Sequence, residues 1–401
     1  MRPHLSSLTP IAHICCISLI TSFVMGCGNN EDNNDSAGPP PLTCAEVNRT
    51  QTGKDLTFEA KTSLSGVYSV TGRQIYDSGE EVTIEPGTIF LMGPDAKLYF
   101  GWRNDPATVF ARGTAERPIL FCGTEARKGH WVDVELLGGT TSNSTLDHVR
   151  LEDGGKDGVA TLRSDVNLRM RNIHVSHGAG VGMELSGLGA DSADFTVTDH
   201  DGIALQLSGE QAINHVPVGA YTGNGDDVAE VSGFDSTNVV FKQLDVPYRQ
   251  TDTRVVFGAP GGVDSSITFE AGVTYQFCQD CFMYIGWRGD TGKITAQGTA
   301  EAPVVFTSSR DTPMPGDWDG ISLLTGTTSD SVIRHAVFEY GGKTDGAALI
   351  IQGGKGTVGD STFRHGAGAG IKVEGELDAG MTIEGSNTYE DNAGGGLIEP
   401  S

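Results

Sequence analysis

Residues 81–90 of this chain read EVTIEPGTIF, and a similar stretch, SITFEAGVTY, occupies residues 266–275. The tripeptide Gly-Trp-Arg at 101–103 likewise returns at 286–288, again after 185 residues. In both copies, short apolar or alternating runs are separated by glycine-bearing turns, which is typical of β-strands. A strand-rich segment that occurs twice predicts a repeat architecture, in which neighbouring units bury one continuous core.

The duplication extends well beyond these motifs. His-Gly-Ala-Gly at 177–180 returns at 365–368 after 188 residues, so the copies differ in length by only small insertions. We therefore predict two modules, 54–235 and 236–401. The segment 195–262 has less of a counterpart elsewhere in the chain, and such insertions are places where function concentrates.

Three motifs carry a resemblance to a known family: VTIEPGT at 82–88, GTAERPILF at 113–121 and GDWDGI at 316–321. They resemble bacterial extracellular right-handed parallel β-helix proteins. The resemblance implies an all-β fold, a right-handed parallel β-helix (solenoid) built from two duplicated modules. A β-sandwich is the main alternative, but hairpin signals such as Asn-Gly are nearly absent.

Stacking of coils predicts a set of side chains that point inward along the whole solenoid. The predicted inward residues are Ile84, Ile89, Ile119, Phe121, Val304 and Phe306.

The N-terminus has the pattern of an export signal. A short polar start precedes an apolar stretch, 11–25, that is too short to span a membrane comfortably. It ends in Val24-Met25-Gly26-Cys27, which resembles the lipobox of bacterial lipoproteins. We predict a lipoprotein signal peptide over 1–26 and lipidation of Cys27, so that a lipid anchor makes the membrane a partner. An ordinary cleaved signal is the alternative.

Residues 27–53 are predicted to be a disordered tether and an entry segment. The part from 28 to 41 is rich in Asn, Asp, Gly and Pro and has no residue able to seed a core. Gly28, rather than Asp, follows Cys27. In the bacterial sorting pattern that the resemblance implies, this favours the outer membrane, with the protein on its periplasmic or cell-surface side.

Cysteine usage agrees with export. Of seven cysteines, Cys15 and Cys16 leave with the signal peptide, and an even number remains after lipidation. An even number in an oxidising compartment suggests disulfides. The remaining cysteines are Cys44, Cys122, Cys278 and Cys281.

The last two of these form a CxxC motif in strand-like sequence. A local disulfide between Cys278 and Cys281 is favoured, while a metal or redox role and free thiols stay open. Cys44 and Cys122 are then the leftover pair, which would attach the entry segment to the first module.

The chain is strongly acidic, with a formal net charge of −25. Nucleic-acid binding requires basic patches, and none is visible, so we expect no nucleic-acid partner. The acidity is compatible with Ca²⁺ binding or simply with solubility. We predict no cofactor and no metal site, with Ca²⁺ as the one open option.

The duplicated Gly-Trp-Arg turns supply the first candidate binding residues, Trp102 with Arg103 and Trp287 with Arg288. An exposed tryptophan beside an arginine can stack on a sugar ring and bind a carboxylate. The same residues can also simply pack between coils. The best candidate in a single copy is Asp199-His200-Asp201, which lies in the less repeated middle of the chain.

Enzymatic activity has weaker support, and no catalytic residue is assigned. The G-x-S-x-G, H-E-x-x-H and P-loop motifs are missing from the sequence. A lyase of uronate polymers needs residue types such as those found at Arg150, Glu152, Asp153 and Lys156. In the second copy, Val337 and Tyr340 replace Arg150 and Asp153. Histidines repeat at 148 and 335 and at 177 and 365, and turn or structural roles are favoured for them.

We therefore predict a membrane-anchored surface β-helix protein, a non-catalytic module that binds a glycan or a surface protein or acts as a spacer. The alternative is a polysaccharide lyase or glycoside hydrolase that acts on extracellular glycan.

Overall fold

A computed structural model describes residues 42–258, 264–343 and 346–400. The predicted signal peptide, Cys27 and the tether as far as residue 41 lie outside the described residues. None of the helices in these ranges has the length and hydrophobicity that a membrane span requires.

Short strands form nearly the whole first half of the described chain. In order, they are β1 (Lys61–Leu64), β2 (Val67–Val70), β3 (Arg73–Tyr76), β4 (Glu80–Ile84), β5 (Ile89–Met92), β6 (Lys97–Phe100), β7 (Ala107–Arg112), β8 (Ile119–Gly123), β9 (Asp133–Leu136), β10 (Thr145–Glu152), β11 (Leu162–Ser164), β12 (Arg169–Ser176) and β13 (Met183–Leu185).

The middle of the chain adds one helix, α1 (Gly209–His215), between strands. The strands there are β14 (Ala193–Thr198), β15 (Ile203–Ser208), β16 (Asp226–Ser232), β17 (Asn238–Phe241), β18 (Tyr248–Gln250) and β19 (Arg254–Phe257).

The second copy repeats the pattern of short strands. They are β20 (Ser265–Phe269), β21 (Thr274–Phe277), β22 (Phe282–Ile285), β23 (Gly292–Gln297), β24 (Val304–Ser308), β25 (Gly320–Leu323), β26 (Val332–Arg334), β27 (Ala336–Glu339), β28 (Ala347–Ile351), β29 (Gly356–Gly359), β30 (Thr362–Arg364), β31 (Ala369–Val373), β32 (Met381–Ile383), β33 (Thr388–Glu390) and β34 (Leu397–Ile398).

Every strand pair in the described ranges is parallel, and each strand pairs with a strand of the next coil. The longest sheet runs β3-β6-β9-β11-β13-β15-β16-β18-β21-β24-β27-β30-β33 through both copies. A nine-stranded sheet lies in the first copy, and two six-stranded sheets continue the other faces in the second. The molecule is thus an all-β, right-handed parallel β-helix, as the sequence predicts.

The corners between faces explain two of the repeated histidines. Strand β10 bends at His148 (φ 49°), and strand β12 bends at Asn172 (φ 52°), directly beside it. In the second copy, His335 (φ 46°) and Asp360 (φ 50°) have the same left-handed backbone. His148 and His335 are therefore corner residues of equivalent coils in the two copies.

The two copies are rotated relative to each other by one face of the coil. Strand β5 matches β21 in the duplicated sequence, yet β21 lies in the sheet that contains β6. The counterpart of β6 is β22, which lies in a different sheet. Equivalent outward residues of the two copies therefore face different directions.

Aromatic and aliphatic side chains fill the centre of the coil in stacked columns. Phe90 stacks on Phe121 with ring centroids 4.5 Å apart, and Phe338 lies between Phe306 and Phe363 at 4.9 and 4.7 Å. Because all of these rings are inaccessible or nearly so, each contributes about 2 kcal/mol of burial free energy.

Five of the six residues predicted to point inward do so: Ile84, Ile119, Phe121, Val304 and Phe306. The prediction for Ile89 is wrong. Its neighbour Phe90 points inward, and alternate strand residues face opposite sides, so Ile89 packs on the outside against the entry segment.

Both predicted disulfides are present, Cys44–Cys122 and Cys278–Cys281. The first closes a separation of 78 residues, for which chain entropy predicts about 4 kcal/mol of stabilisation. It fixes the entry segment across the outside of β8, where Cys44 covers Leu120. The Arg49 side chain adds an ion pair of 2.5 Å with Asp153.

A buried tryptophan explains the Gly-Gly-Lys turn that occurs at 154–156 and again at 341–343. The indole N–H of Trp131 donates to the Glu152 carbonyl at 2.7 Å, and Trp318 donates to Glu339 at 2.8 Å. A Cβ on Gly154 would lie 2.9 Å from the Trp131 ring. Only glycine therefore fits against the indole, which accounts for its presence in both copies.

Candidate functional site

Trp102 and Trp287 occupy equivalent turns in the two copies. Each follows a left-handed glycine, Gly101 (φ 71°) or Gly286 (φ 76°), whose added Cβ would lie 2.1 Å from a backbone nitrogen of the next coil. The Gly-Trp-Arg motif is thus duplicated because a closely approaching turn requires its glycine.

Neighbouring side chains already occupy the faces of the Trp102 ring. Tyr99 stacks on Trp102 at 5.4 Å, and the guanidinium of Arg73 lies 5.2 Å from the ring centroid. Arg103 is exposed and lies 5.9 Å from the same ring. These contacts leave little free ring surface on which a sugar could stack.

The second tryptophan has similar contacts but faces another direction. Trp287 stacks on Tyr284 at 4.7 Å, and Arg288 lies 5.7 Å from its ring. Strand β22, which precedes it, belongs to a different sheet from β6, which precedes Trp102. The structure therefore does not bring the two Trp-Arg pairs together into one surface.

The Asp199-His200-Asp201 sequence is a corner between coils. Its two carboxylates both bind Lys128, at 3.0 Å from Asp199 and 2.8 Å from Asp201. The His200 side chain turns the other way and is only 2 % exposed. The three residues thus form an ion-paired surface above a buried imidazole, and they do not converge on a common ligand.

The imidazole of His200 is buried, and the backbone groups of Val175 and Gly180 compensate for its burial only in part. A Cβ on Gly178 would lie 2.3 Å from the ring. Burial lowers the pKa of His200 to about 4, because the charged imidazolium would lose its hydration. The side chain is therefore neutral at physiological pH.

Several of the lyase-type residues have structural partners. The backbone N–H of Cys44 donates to Glu152, and Asp153 accepts from Arg49, from the Gly123 N–H at 3.0 Å and from His177 at 2.7 Å. These contacts hold the entry segment against the first copy.

Lys156 and its counterpart in the second copy, Lys343, also have structural partners. Lys156 forms an ion pair with Asp95, and Lys343 forms the equivalent pair with Asp280. The lysine of the Gly-Gly-Lys turn thus reaches across one intervening coil in both copies, that of β8 and β9 in the first and that of β24 and β25 in the second.

A groove lies on the outside of the nine-stranded sheet and encloses about 450 Å³. Its floor is a row of side chains that point outward from successive coils. Arg150 on β10 pairs in register with His174 on β12, which pairs with Thr196 on β14. Because parallel strands lie about 4.8 Å apart, these three side chains are immediate neighbours.

The same row of residues defines both ends of the groove. Before Arg150 comes Leu120, which the disulfide-bonded entry segment covers completely. After Thr196 comes Ala220, in a segment whose Val218 is 67 % exposed and forms the opposite wall. Pro118 and the corner residues His148, Asn172 and Asp194 complete the lining.

Arg150 places a positive charge on the floor of the groove, whose lining also includes the carboxylate of Asp194. The Arg150 guanidinium forms no hydrogen bond or salt bridge in the described ranges, and its charge acts on Glu152 and His174. Burial and the charge of Arg150 lower the pKa of His174, so this imidazole is neutral at pH 7. A bound anion beside it would oppose that shift and favour protonation.

The second copy lacks the charged and polar side chains that form the floor of the groove. At the positions equivalent to Arg150 and His174, that copy has Val337 and Thr362. The change from Arg150 to Val337 is visible in the sequence, although on its own it predicts no site there. Differences between the two copies point to these positions. The shape of the site cannot be predicted in this way, because it depends on the coil length that places Arg150 beside His174.

Sequence reasoning also missed a buried carboxyl pair, Asp133 and Glu135, on the outside of β9. They are 2 % and 6 % exposed, and burial with their mutual interaction raises the pKa of Asp133. Arg163 approaches Glu135 at 3.5 Å. In the ranges that the structure covers, no group of three or more His, Cys, Asp or Glu side chains is placed to hold a metal ion.

Acid should destabilise the protein through His200. Its pKa is about 4 in the folded chain and about 6.5 when unfolded, so the unfolded state binds the extra proton between these values. The contribution of neutral His200 to the free energy of unfolding is fully present above pH 6.5. It falls by on the order of 3 kcal/mol as the pH drops to 4. Urea unfolding of the His200→Gln variant should show a correspondingly weaker acid sensitivity.

The matched control is His365→Gln, at a partly exposed corner of the second copy. It should retain the acid sensitivity of the wild type. Identical pH dependence in the wild type and His200→Gln would contradict the account of His200.

Comparison with known proteins agrees with the fold. Residues 260–350 match the family model described as a pectate-lyase like beta helix domain. Neither the curated proteins nor the solved structures include a significant match. With its parallel sheets and its duplicated coils, the chain is a parallel β-helix repeat protein.

Proposed function

We propose that this is a membrane-anchored surface protein that binds an acidic glycan, without catalysis, in the groove that contains Arg150. The single observation that carries the proposal is the half-buried Arg150 guanidinium, which forms no hydrogen bond or salt bridge within the described residues, on a chain of net charge −25. A cation in a concave site that has only a longer-range interaction with Glu152 suits an anionic ligand.

The groove offers the contacts that a uronic acid needs. Arg150 presents a planar set of donors that matches a carboxylate, and such charge-assisted pairs are stronger than neutral hydrogen bonds. His148, His174 and Thr196 can bond to sugar hydroxyls on either side. The exposed Val218 and the ring of Pro118 provide apolar walls for the C–H face of a sugar ring.

A polysaccharide lyase or glycoside hydrolase is the alternative that the family description permits. The matched residues, 260–350, include Val337, where the groove has Arg150, and the matched span therefore lacks the groove's chemistry. Asp133 and Glu135 interact directly with each other, so they do not flank a space for a sugar as a glycosidase pair does. These observations favour binding over cleavage.

Binding of hexagalacturonate to the purified full-length protein tests the groove. Arg150→Gln should weaken the affinity at least tenfold, because the variant loses the charge-assisted contact to a carboxylate. Arg112→Gln, on an exposed arginine over the ring of Phe110, should leave the affinity unchanged. Isothermal titration calorimetry with and without EDTA should give the same Kd if Arg150, and not Ca²⁺, supplies the positive charge.

Equal affinities for Arg150→Gln and the wild type would overturn this assignment. Release of unsaturated oligosaccharides during the titration would instead establish the lyase alternative.

We also propose that Cys27 carries the lipid that anchors the protein to the bacterial outer membrane. The support is the sequence alone: an apolar stretch, a small residue before Cys27 and an uncharged Gly28 after it. One acyl chain binds membranes only marginally, whereas several on one cysteine hold a protein stably. The tether would then separate the β-helix from the membrane surface.

Membrane fractionation in a bacterial host tests the anchor. Cys27→Ser should move the protein from the membrane to the soluble fraction, because the acylated thiol is lost. Gly28→Asp should keep the anchor but shift the protein toward the inner membrane, as the sorting pattern implies. An unchanged distribution of Cys27→Ser would show that Cys27 is not the anchor.

A further inference from the structure

A second depression lies on the outside of the thirteen-stranded sheet, away from the groove on the nine-stranded sheet. It encloses about 220 Å³ over strands β13, β15, β16 and β18. One row of polar side chains follows the strand pairing across it. The row is Glu184, Gln206, Glu230 and Arg249, each in register with the next.

A row of hydroxyl groups runs beside this one. Ser208 and Ser232 are paired in register, with their hydroxyl oxygens 3.4 Å apart. Ser186 and Thr251 line the same depression on the coils before and after them. Four successive coils thus present the same chemistry, a side-chain hydroxyl beside a longer hydrogen-bonding group.

Contacts between neighbouring coils hold the longer side chains in place. Arg163 binds Glu184 at 3.1 Å, and Gln206 donates to Glu230 at 3.3 Å. Arg249 pairs with Asp226 at 2.6 Å and lies 3.9 Å from Glu230. The lining contains the carboxylates of Glu184 and Glu230, and both flanking arginines also pair with acids outside it, so the depression is polar with an excess of negative charge.

The residues that a coil needs in order to close do not include these two rows of polar side chains. Ser208, Ser232 and Thr251 lie in the middle segment, 195–262, which has no clear counterpart in the second copy. The residues retained in both copies are turn glycines, buried tryptophans and coil-linking lysines. Apart from Glu184 and Ser186, the two rows thus belong to this segment.

We propose that this depression binds a neutral, hydroxyl-rich polysaccharide whose chain lies along the solenoid axis. Each coil contributes one hydroxyl and one longer polar group per strand spacing of about 4.8 Å, so successive sugars meet successive coils. The Glu184 and Glu230 carboxylates accept hydrogen bonds from sugar hydroxyls, and the Gln206 amide both accepts and donates. This site is independent of the acidic-glycan groove and has a different ligand class.

Titration with cellohexaose and mannohexaose tests the proposal in the purified full-length protein. The wild type should bind at least one of them, and Ser232→Tyr, which fills the depression, should weaken that affinity at least tenfold. Gln206→Ala should also weaken it, since the amide is lost without added bulk. Ser142→Tyr, at an exposed turn, is the matched control and should bind as the wild type does.

A cross-test separates the two sites. Ser232→Tyr should bind hexagalacturonate normally, and Arg150→Gln should bind the neutral oligosaccharide normally. Absence of neutral-oligosaccharide binding by the wild type, or full affinity in both Ser232→Tyr and Gln206→Ala, would overturn the proposal. Loss of both ligands from Arg150→Gln would show that there is one site, in the groove.

Discussion

The structure depends on parallel, in-register pairing between each coil and the next. This pairing makes every second side chain point inward, where Phe90 stacks on Phe121, and it sends the residues between them outward. Outward residues of successive coils therefore form straight rows. Both proposed binding sites are such rows, so their composition follows directly from the register.

The entry segment determines where the groove begins. The row Ile89–Leu120–Arg150–His174–Thr196 would be continuous, but the Cys44–Cys122 disulfide holds the entry segment over its first two members. Those two residues are apolar and suit a covered surface, whereas the remaining three are polar and open. The segment next to the proposed membrane tether thus forms one border of the proposed glycan site.

The sequence predicted the parts of the fold that recur. The duplication and most of the inward aliphatic and aromatic residues could be inferred because coil closure and core packing impose similar residues in each copy. Both disulfides could be inferred for a different reason, the even number of cysteines and the CxxC spacing of Cys278 and Cys281. Ile89 was assigned to the wrong side, since a strand with Ile89, Phe90 and Leu91 in a row has no clear alternation.

The sites could not be inferred in the same way. Arg150 and His174 are 24 residues apart, and they meet only because one coil has that length at this point. The rotation between copies arises in the middle segment, and it separates Trp102 from Trp287 although the motif around them is duplicated. His200 was a candidate from its acidic neighbours, but its side chain turns into the interior, which no local pattern reports.

The central claim is that function belongs to positions at which the two copies differ, and one double variant tests it most directly. Arg150→Val with His174→Thr gives the first copy the residues that the second has at those positions. Because β-branched residues suit an outward strand position, the variant should unfold at the same urea midpoint as the wild type. The account predicts that its affinity for hexagalacturonate is lost; retention of wild-type affinity in the folded variant would contradict it.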